Sequence, residues 1–184
     1  MSVCINQETL DVGPSPVRAV RVIALSMTIS SAVVLAAFSG PGAGSGMLLL
    51  LIAGFAAGLA LLRWPLQRMG DRLSIMRYGL WLSALGWLLL LLSILGGHGG
   101  LNLWPGAIFG GLGAGIAFGR GGKTGDTMER MAMAAGGALA LVVTLLIALF
   151  SAPGIERFCF ALALPVDLAL LGVLIVGIAE NEER

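Results

Sequence analysis

The stretch RYGLWLSALGWLLLLLSIL, residues 77–95, decides the fold class of this chain. Its length is close to the ~20 residues that an α-helix needs to cross the hydrocarbon core of a bilayer. Arg77, at the first position, is its only charged residue, and the unbroken leucine run at 88–92 favours contact with lipid. We therefore predict a transmembrane helix over residues 77–95, with Arg77 at one membrane surface.

Five further apolar stretches lie on either side of this one, separated by short loops. Residues 40–46, which are glycine-rich and uncharged, are predicted to form an external turn, and residues 1–18 and 180–184 are predicted to be tails. The sequence thus predicts an all-α polytopic membrane protein with six transmembrane helices arranged as three helical hairpins. The predicted spans are 19–38, 47–63, 77–95, 105–119, 131–150 and 158–179.

Positive charge is distributed unevenly over the boundaries of these spans. Cytoplasmic flanks of membrane helices collect Lys and Arg, because basic flanks resist translocation. Both termini are therefore predicted to be cytoplasmic, and the preference for Arg over Lys, with abundant Ala, Gly and Leu, indicates a bacterial inner membrane. Only Arg157 falls at the other kind of boundary. The other ten of the eleven basic residues are Arg18, Arg21, Arg63, Arg68, Arg72, Arg77, Arg120, Lys123, Arg130 and Arg184.

The overall composition excludes several classes of protein. With 58% hydrophobic and 11% charged residues, the chain has too little polar surface to cover a water-soluble globule. Its mean hydropathy of +0.97 agrees with this. A formal net charge of +1 gives no electrostatic footprint for nucleic acid. The lipid bilayer is the predicted partner, and nucleic acid is not.

Residue types that carry enzymatic or metal chemistry are scarce. Cys4 and Cys159 are predicted to lie on opposite sides of the membrane, which excludes a disulfide between them. Neither cysteine has a partner at ligand spacing, and the only histidine, His98, lies in a glycine-rich loop. No nucleophile elbow, zinc-binding His-Glu-x-x-His or phosphate-binding loop occurs. We predict no catalytic residues, no metal and no cofactor.

Asp167 is the only ionisable residue predicted near the middle of a span. A carboxylate in hydrocarbon is costly, so it must face protein, face water or stay protonated. Pro165 frees a backbone carbonyl nearby, which suits a polar pocket. One interpretation is a proton or cation relay. The other, which the lack of a second buried charge favours, is a neutral Asp167 bonded to a hydroxyl such as that of Thr144, Ser26 or Ser30.

Two pairs of glycines have the small-x-x-x-small spacing that allows close approach of membrane helices. They are Gly54 with Gly58, and Gly111 with Gly115. Internal helix packing is the favoured interpretation, and a homodimer face is the alternative.

The three-hairpin plan leads to a first family resemblance. The segments at 77–86 (RYGLWLSALG) and 164–172 (LPVDLALLG) are similar to the starts and ends of hairpins in the HdeD-like family of small six-helix acid-resistance proteins. The resemblance implies a stress-related membrane protein and supplies no catalytic residues.

The loop before residue 77 leads to a second resemblance. Gly70-Asp71-Arg72 is similar to part of the Gly-x-x-x-Asp-Arg-x-Gly signature of the major facilitator superfamily, although Gln67 and Ser74 replace its two glycines. The resemblance implies one six-helix half of a transporter, with Asp71 and Arg72 as a cytoplasmic latch. Such a half needs a second half, from a dimer or a partner chain.

These observations rank the functions. The first expectation is a non-enzymatic multi-pass membrane protein, a stress-response or accessory subunit that acts by helix packing, as a homo-oligomer or with other membrane proteins. The alternative is a small transporter or half-transporter working as a dimer, with Asp167 as its proton or cation site.

Overall fold

The computed structural model describes residues 16–38, 40–63, 72–96, 104–119, 127–150 and 155–182. These residues form six α-helices and no strand. The helices are α1 Pro16–Phe38, α2 Gly40–Arg63, α3 Arg72–Leu95, α4 Trp104–Gly119, α5 Thr127–Phe150 and α6 Ile155–Glu182.

Each predicted span lies inside one of these helices, and the helices extend further at several ends. The largest extension is at α2, which begins at Gly40, so the predicted turn at 40–46 is wrong. The cause is local: Pro41 is the second residue of α2, where its missing N–H is not needed and its fixed φ suits a helix. The prediction from glycine content alone therefore put the start of α2 at the wrong residue.

Four of the six helices are long and apolar enough to cross a bilayer, which indicates a membrane protein. They are α1, α3, α5 and α6, with apolar segments of 21 to 23 residues. The apolar part of α2 is shorter, Gly46–Leu62. Helix α4 has 16 residues, a length of about 24 Å at ~1.5 Å per residue.

The six helices pack as two columns of three. One column has α4 between α3 and α2, and the other has α1 between α6 and α5. The columns meet through α3 with α6 and through α1 with both α4 and α2. Among the residues described, α2 and α5 scarcely touch, so the columns diverge at that side.

This packing differs from three independent hairpins. Helices α3 and α4 do pack along their length, but α5 with α6 has only minor contacts, and α1 contacts α2 much less than it contacts α5 or α6. The three-hairpin arrangement is therefore not confirmed. The major contacts instead indicate two corresponding units of three helices, unit one (α1, α2 and α3) and unit two (α4, α5 and α6). Helix α2 packs on α4 in the way that α5 packs on α1, and α3 packs on α4 in the way that α6 packs on α1.

Helix directions follow from the residues in contact. Gly54 and Gly58 of α2 lie beside Ile108 and Leu112 of α4, so these two helices run parallel. Arg21 of α1 meets Phe118 of α4. Met27, further along α1, lies at the level of Gly110, earlier in α4, since Ser83 contacts both. Helices α1 and α4 therefore run in opposite directions. Corresponding helices of the two units are thus inverted relative to each other.

Candidate functional site

A buried ion pair joins α1 to α5 at one end of the bundle. Nη1 of Arg21 donates to Oε1 of Glu129, and the residues are only 3% and 7% exposed. Nε of Arg21 also donates to the carbonyl of Phe118 in α4 at 3.3 Å, and its guanidinium lies 5.6 Å from the Phe118 ring centroid. One arginine thereby holds three helices, because its planar head offers several donors at once.

A second ion pair joins α3 to α6 at the same end. Nη1 of Arg77 donates to Oε2 of Glu180, whose other oxygen accepts a hydrogen bond from Ser74 Oγ at 3.3 Å. The Arg77 side chain is 35% exposed, so water screens this pair more than the first.

In both ion pairs, unit one supplies the arginine and unit two supplies the glutamate. Arg21 and Arg77 belong to unit one, and Glu129 and Glu180 belong to unit two. Six of the seven arginines in the described ranges lie near this end of the bundle, and Arg157 lies near the other. We call this the charged end.

Hydroxyl groups form a small polar centre deeper in the bundle. Thr144 Oγ1 donates to the Ala140 carbonyl at 2.7 Å, so its single proton is used and Ser30 must donate to Thr144 across 2.8 Å. On the other side of α1, Ser83 Oγ donates to the Gly110 carbonyl at 2.9 Å. These bonds link α1 to α5 and α3 to α4.

Trp87 brings one unsatisfied donor into the same region. Its ring is fully buried against Gly110, four residues after Ser83 on the same face of α3. Its Nε1 has no hydrogen-bond partner in the described part of the protein. A buried N–H without an acceptor is rare and unfavourable.

Asp167 is exposed and does not join this centre. It lies on the outward face of α6, while Pro165, two residues earlier, is buried on the opposite face. The predicted pocket combining Pro165 with Asp167 is therefore not assembled. Thr144 and Ser30 bond to each other, and no hydrogen bond or ion pair among the described residues involves the Asp167 carboxyl.

The four predicted packing glycines lie in the contact between α2 and α4. An added Cβ at Gly54 would come within 2.6 Å of the Ile108 carbonyl, and one at Gly58 would meet the Leu112 carbonyl. Cβ atoms at Gly111 and Gly115 would meet the α2 backbone at Leu51 and Phe55. Within one chain, backbone therefore occupies the place of a side chain at all four positions.

Several predicted residues fall outside the described ranges. Asp71, Cys4 and His98 do so, and Arg72 is the first residue of α3. Cys159 is a free thiol in α6. No group of three His, Cys, Asp or Glu that could hold a metal occurs in the described segments.

The two ion pairs are the features that sequence reasoning missed. Arg21 and Arg77 served there only as markers of the cytoplasmic side, and Glu180 as part of a predicted tail. A signal did exist, because both arginines lie a turn or more inside apolar helices, where an unpaired charge is unfavourable.

Comparison of the chain with protein-family models, curated proteins and solved structures finds no match.

Proposed function

We propose that this chain is one six-helix half of a membrane transporter, similar in plan to half of a major facilitator protein, and that it works as a dimer. The observation that supports this is the correspondence between units one and two. Each outer helix packs on the central helix of the other unit, and corresponding helices run in opposite directions. Inverted three-helix repeats nested in a six-helix half are a feature of that superfamily.

The two helices at the ends of the columns, α2 and α5, are the proposed contact with the second half. Helix α2 exposes Ala53, Ala56, Ala57 and Ala60, and α5 exposes Ala134, Ala135 and Ala138. Small residues suit close packing of membrane helices, because they let backbones approach. Other helices of the same chain cover little of the α5 surface, as expected for a helix that contacts a second chain.

The charged end has a role in this proposal. Two ion pairs hold unit one to unit two, one of them almost fully buried. Alternating access in transporters of this kind is largely rigid-body rocking of one half against the other. The pairs therefore keep each half rigid while the dimer rocks. The proposed orientation, from the positive-inside rule, places this end in the cytoplasm of a bacterial inner membrane.

Cross-linking tests the dimer face. In a background without Cys4 and Cys159, Ala56→Cys or Ala135→Cys should form a disulfide-linked dimer in membranes on mild oxidation. Leu85→Cys, which is also at an exposed position but on α3, is the matched control and should stay monomeric. Equal cross-linking at all three positions would remove the proposed face.

Mass and flux measurements test the function itself. In mild detergent, the protein should have the mass of two chains. Proteoliposomes containing it should show solute-dependent flux when challenged with small organic ions and sugars, read with a lumenal pH-sensitive dye and by radiolabel uptake. A monomer without flux for any tested solute would overturn the proposal.

An accessory subunit that acts by helix packing is a second candidate, and one observation favours it. Asp167 lies on an outward apolar face, which suits contact with another polypeptide better than an internal relay. Under the transporter proposal Asp167 is the proton or cation site, so Asp167→Asn should abolish proton-coupled flux. Under the subunit proposal the same change leaves ion movement unaltered and weakens assembly.

A further inference from the structure

The outward face of α6 is an apolar stripe with one acid at its centre. The exposed apolar residues of this stripe are Phe160, Leu171, Leu174 and Ile178. Phe160 lies seven residues before Asp167, and the other three lie four, seven and eleven residues after it. This spacing places them on one side of a helix, as in the contact seam of two packed helices. The buried side of α6 is nearly opposite to Asp167, so no rotation of its short side chain turns it into the bundle.

The position of Asp167 along α6 places it inside the hydrocarbon. It is thirteen residues from Glu180 at the charged end and twelve from Ile155, the first residue of α6. At ~1.5 Å per residue these separations are about 20 Å and 18 Å, so within a ~30 Å core Asp167 lies at least about 10 Å from either surface. Lysine and arginine can extend to the membrane surface from such depths, but an aspartate side chain is too short to do so.

An exposed carboxyl at this depth calls for a partner outside the chain. Ionisable residues in membrane spans almost always face protein or water and pair with another polar group. Asp167 has no such group among the described residues of its own bundle. An occupant of this face that supplies the complementary group within the membrane would satisfy this carboxyl.

Charge complementarity distinguishes the occupants. A second copy offers no basic side chain at this depth in its described helices, because Arg157 lies about 15 Å further along α6 and the other arginines lie near the charged end. We propose that the α6 face centred on Asp167 binds a transmembrane helix of another protein that carries a lysine or arginine at mid-membrane depth. This inference rests on the subunit candidate of the proposed function, because a carboxyl paired with a partner's lysine or arginine cannot also be the proton or cation site of the transporter proposal.

Binding of designed helices to the full chain tests the proposal. The protein, fused at its C-terminus to a fluorescent donor, is placed in phosphatidylcholine vesicles with acceptor-labelled 23-residue Leu/Ala helices. One peptide has a central lysine, a matched one a central leucine, and a third a central aspartate. The lysine peptide should bind at least tenfold more tightly than the leucine peptide.

Variants of Asp167 give the controls. Asp167→Asn and Asp167→Leu should abolish the tenfold preference, and Asp167→Lys should reverse it in favour of the aspartate peptide. These changes are on an exposed position, and unaltered thermal unfolding would verify that the bundle is intact. Equal binding of the lysine and leucine peptides would overturn the proposal. Asp167-dependent self-association without peptide would also overturn it, in favour of a second copy whose two carboxyls share a proton.

Discussion

Replacing Gly58 by alanine should weaken the packing of α2 against α4. The added Cβ would meet the carbonyl of Leu112, and would lie 2.9 Å from the backbone nitrogen of Ile116 and 3.1 Å from the carbonyl carbon of Gly115. Ordinary contacts of a Cβ are 3.4–4 Å. All three neighbours are backbone atoms, which cannot rotate away as a side chain could, so the two helices must move apart.

The magnitude follows from comparison with a matched glycine on the same helix. Gly46 has nothing within 4 Å of the place of its Cβ. Both substitutions gain the same helix propensity, roughly 1 kcal/mol in water, so this contribution cancels in the comparison. Overpacking in a close-packed interior typically costs about 1–3 kcal/mol. We therefore expect Gly58→Ala to be less stable than Gly46→Ala by about 1–3 kcal/mol.

Equilibrium unfolding by SDS in mixed micelles, followed by circular dichroism at about 222 nm, measures this free energy directly, since loss of helix reports unfolding. Gly58→Leu should unfold at still lower SDS, because a larger side chain demands a larger separation. Equal stabilities of Gly58→Ala and Gly46→Ala, within about 0.5 kcal/mol, would refute the close α2–α4 contact, since surface substitutions fall in that range.

The remaining predictions concern the charged end. Arg21→Met should cost about 3–5 kcal/mol in the same SDS assay, because it leaves Glu129 buried without its partner; adding Glu129→Leu should recover most of the loss. Arg77→Met should cost about 1 kcal/mol or less, since water reaches that pair, and an equal cost for the two arginine variants would contradict the difference in burial. In intact cells, a membrane-impermeant maleimide should label Gly44→Cys from outside but should not label Lys123→Cys, and reaction of both cysteines from one side would contradict the orientation.

The secondary structure could be predicted from the sequence because hydropathy is a local property. Residues 77–95 are apolar whatever they contact, and α3 covers them. The limits of α2 could not be read in the same way, since Gly40 and Pro41 are typical of a turn and are also compatible with a helix start. Length and hydropathy therefore predict where the helices lie better than they predict where each helix begins and ends.

The order in which helices pack was not predictable from the same signal. Apolar periodicity does not say which neighbour a face meets, and the choice of α4 as the partner of α2 depends on glycines in both helices. The spacing of Gly54 with Gly58 and of Gly111 with Gly115 did indicate close contacts. It could not indicate that the two pairs lie in one contact between the same two helices.

The candidate polar groups were predicted only in part for a related reason. The position of Asp167 within a span was evident, but whether it faces the bundle depends on the rotation of α6, which its mixed apolar surface does not fix. Arg21 and Glu129 are 108 positions apart in the chain, so no local pattern could pair them. The position of Arg21 inside an apolar helix was the available signal, and it was used only to predict the orientation of the protein in the membrane.

The composition of α4 bears on how the protein is made. This helix is short, rich in glycine and mostly buried, so it is poorly suited to enter lipid alone or to stay helical there. The two helices that cover it, α2 and α3, both precede it in the chain. They are therefore already synthesised, with the groove that α4 occupies, when α4 leaves the ribosome. Biogenesis should therefore insert α4 against its predecessors, and truncation after Gly119 should yield a nascent four-helix intermediate.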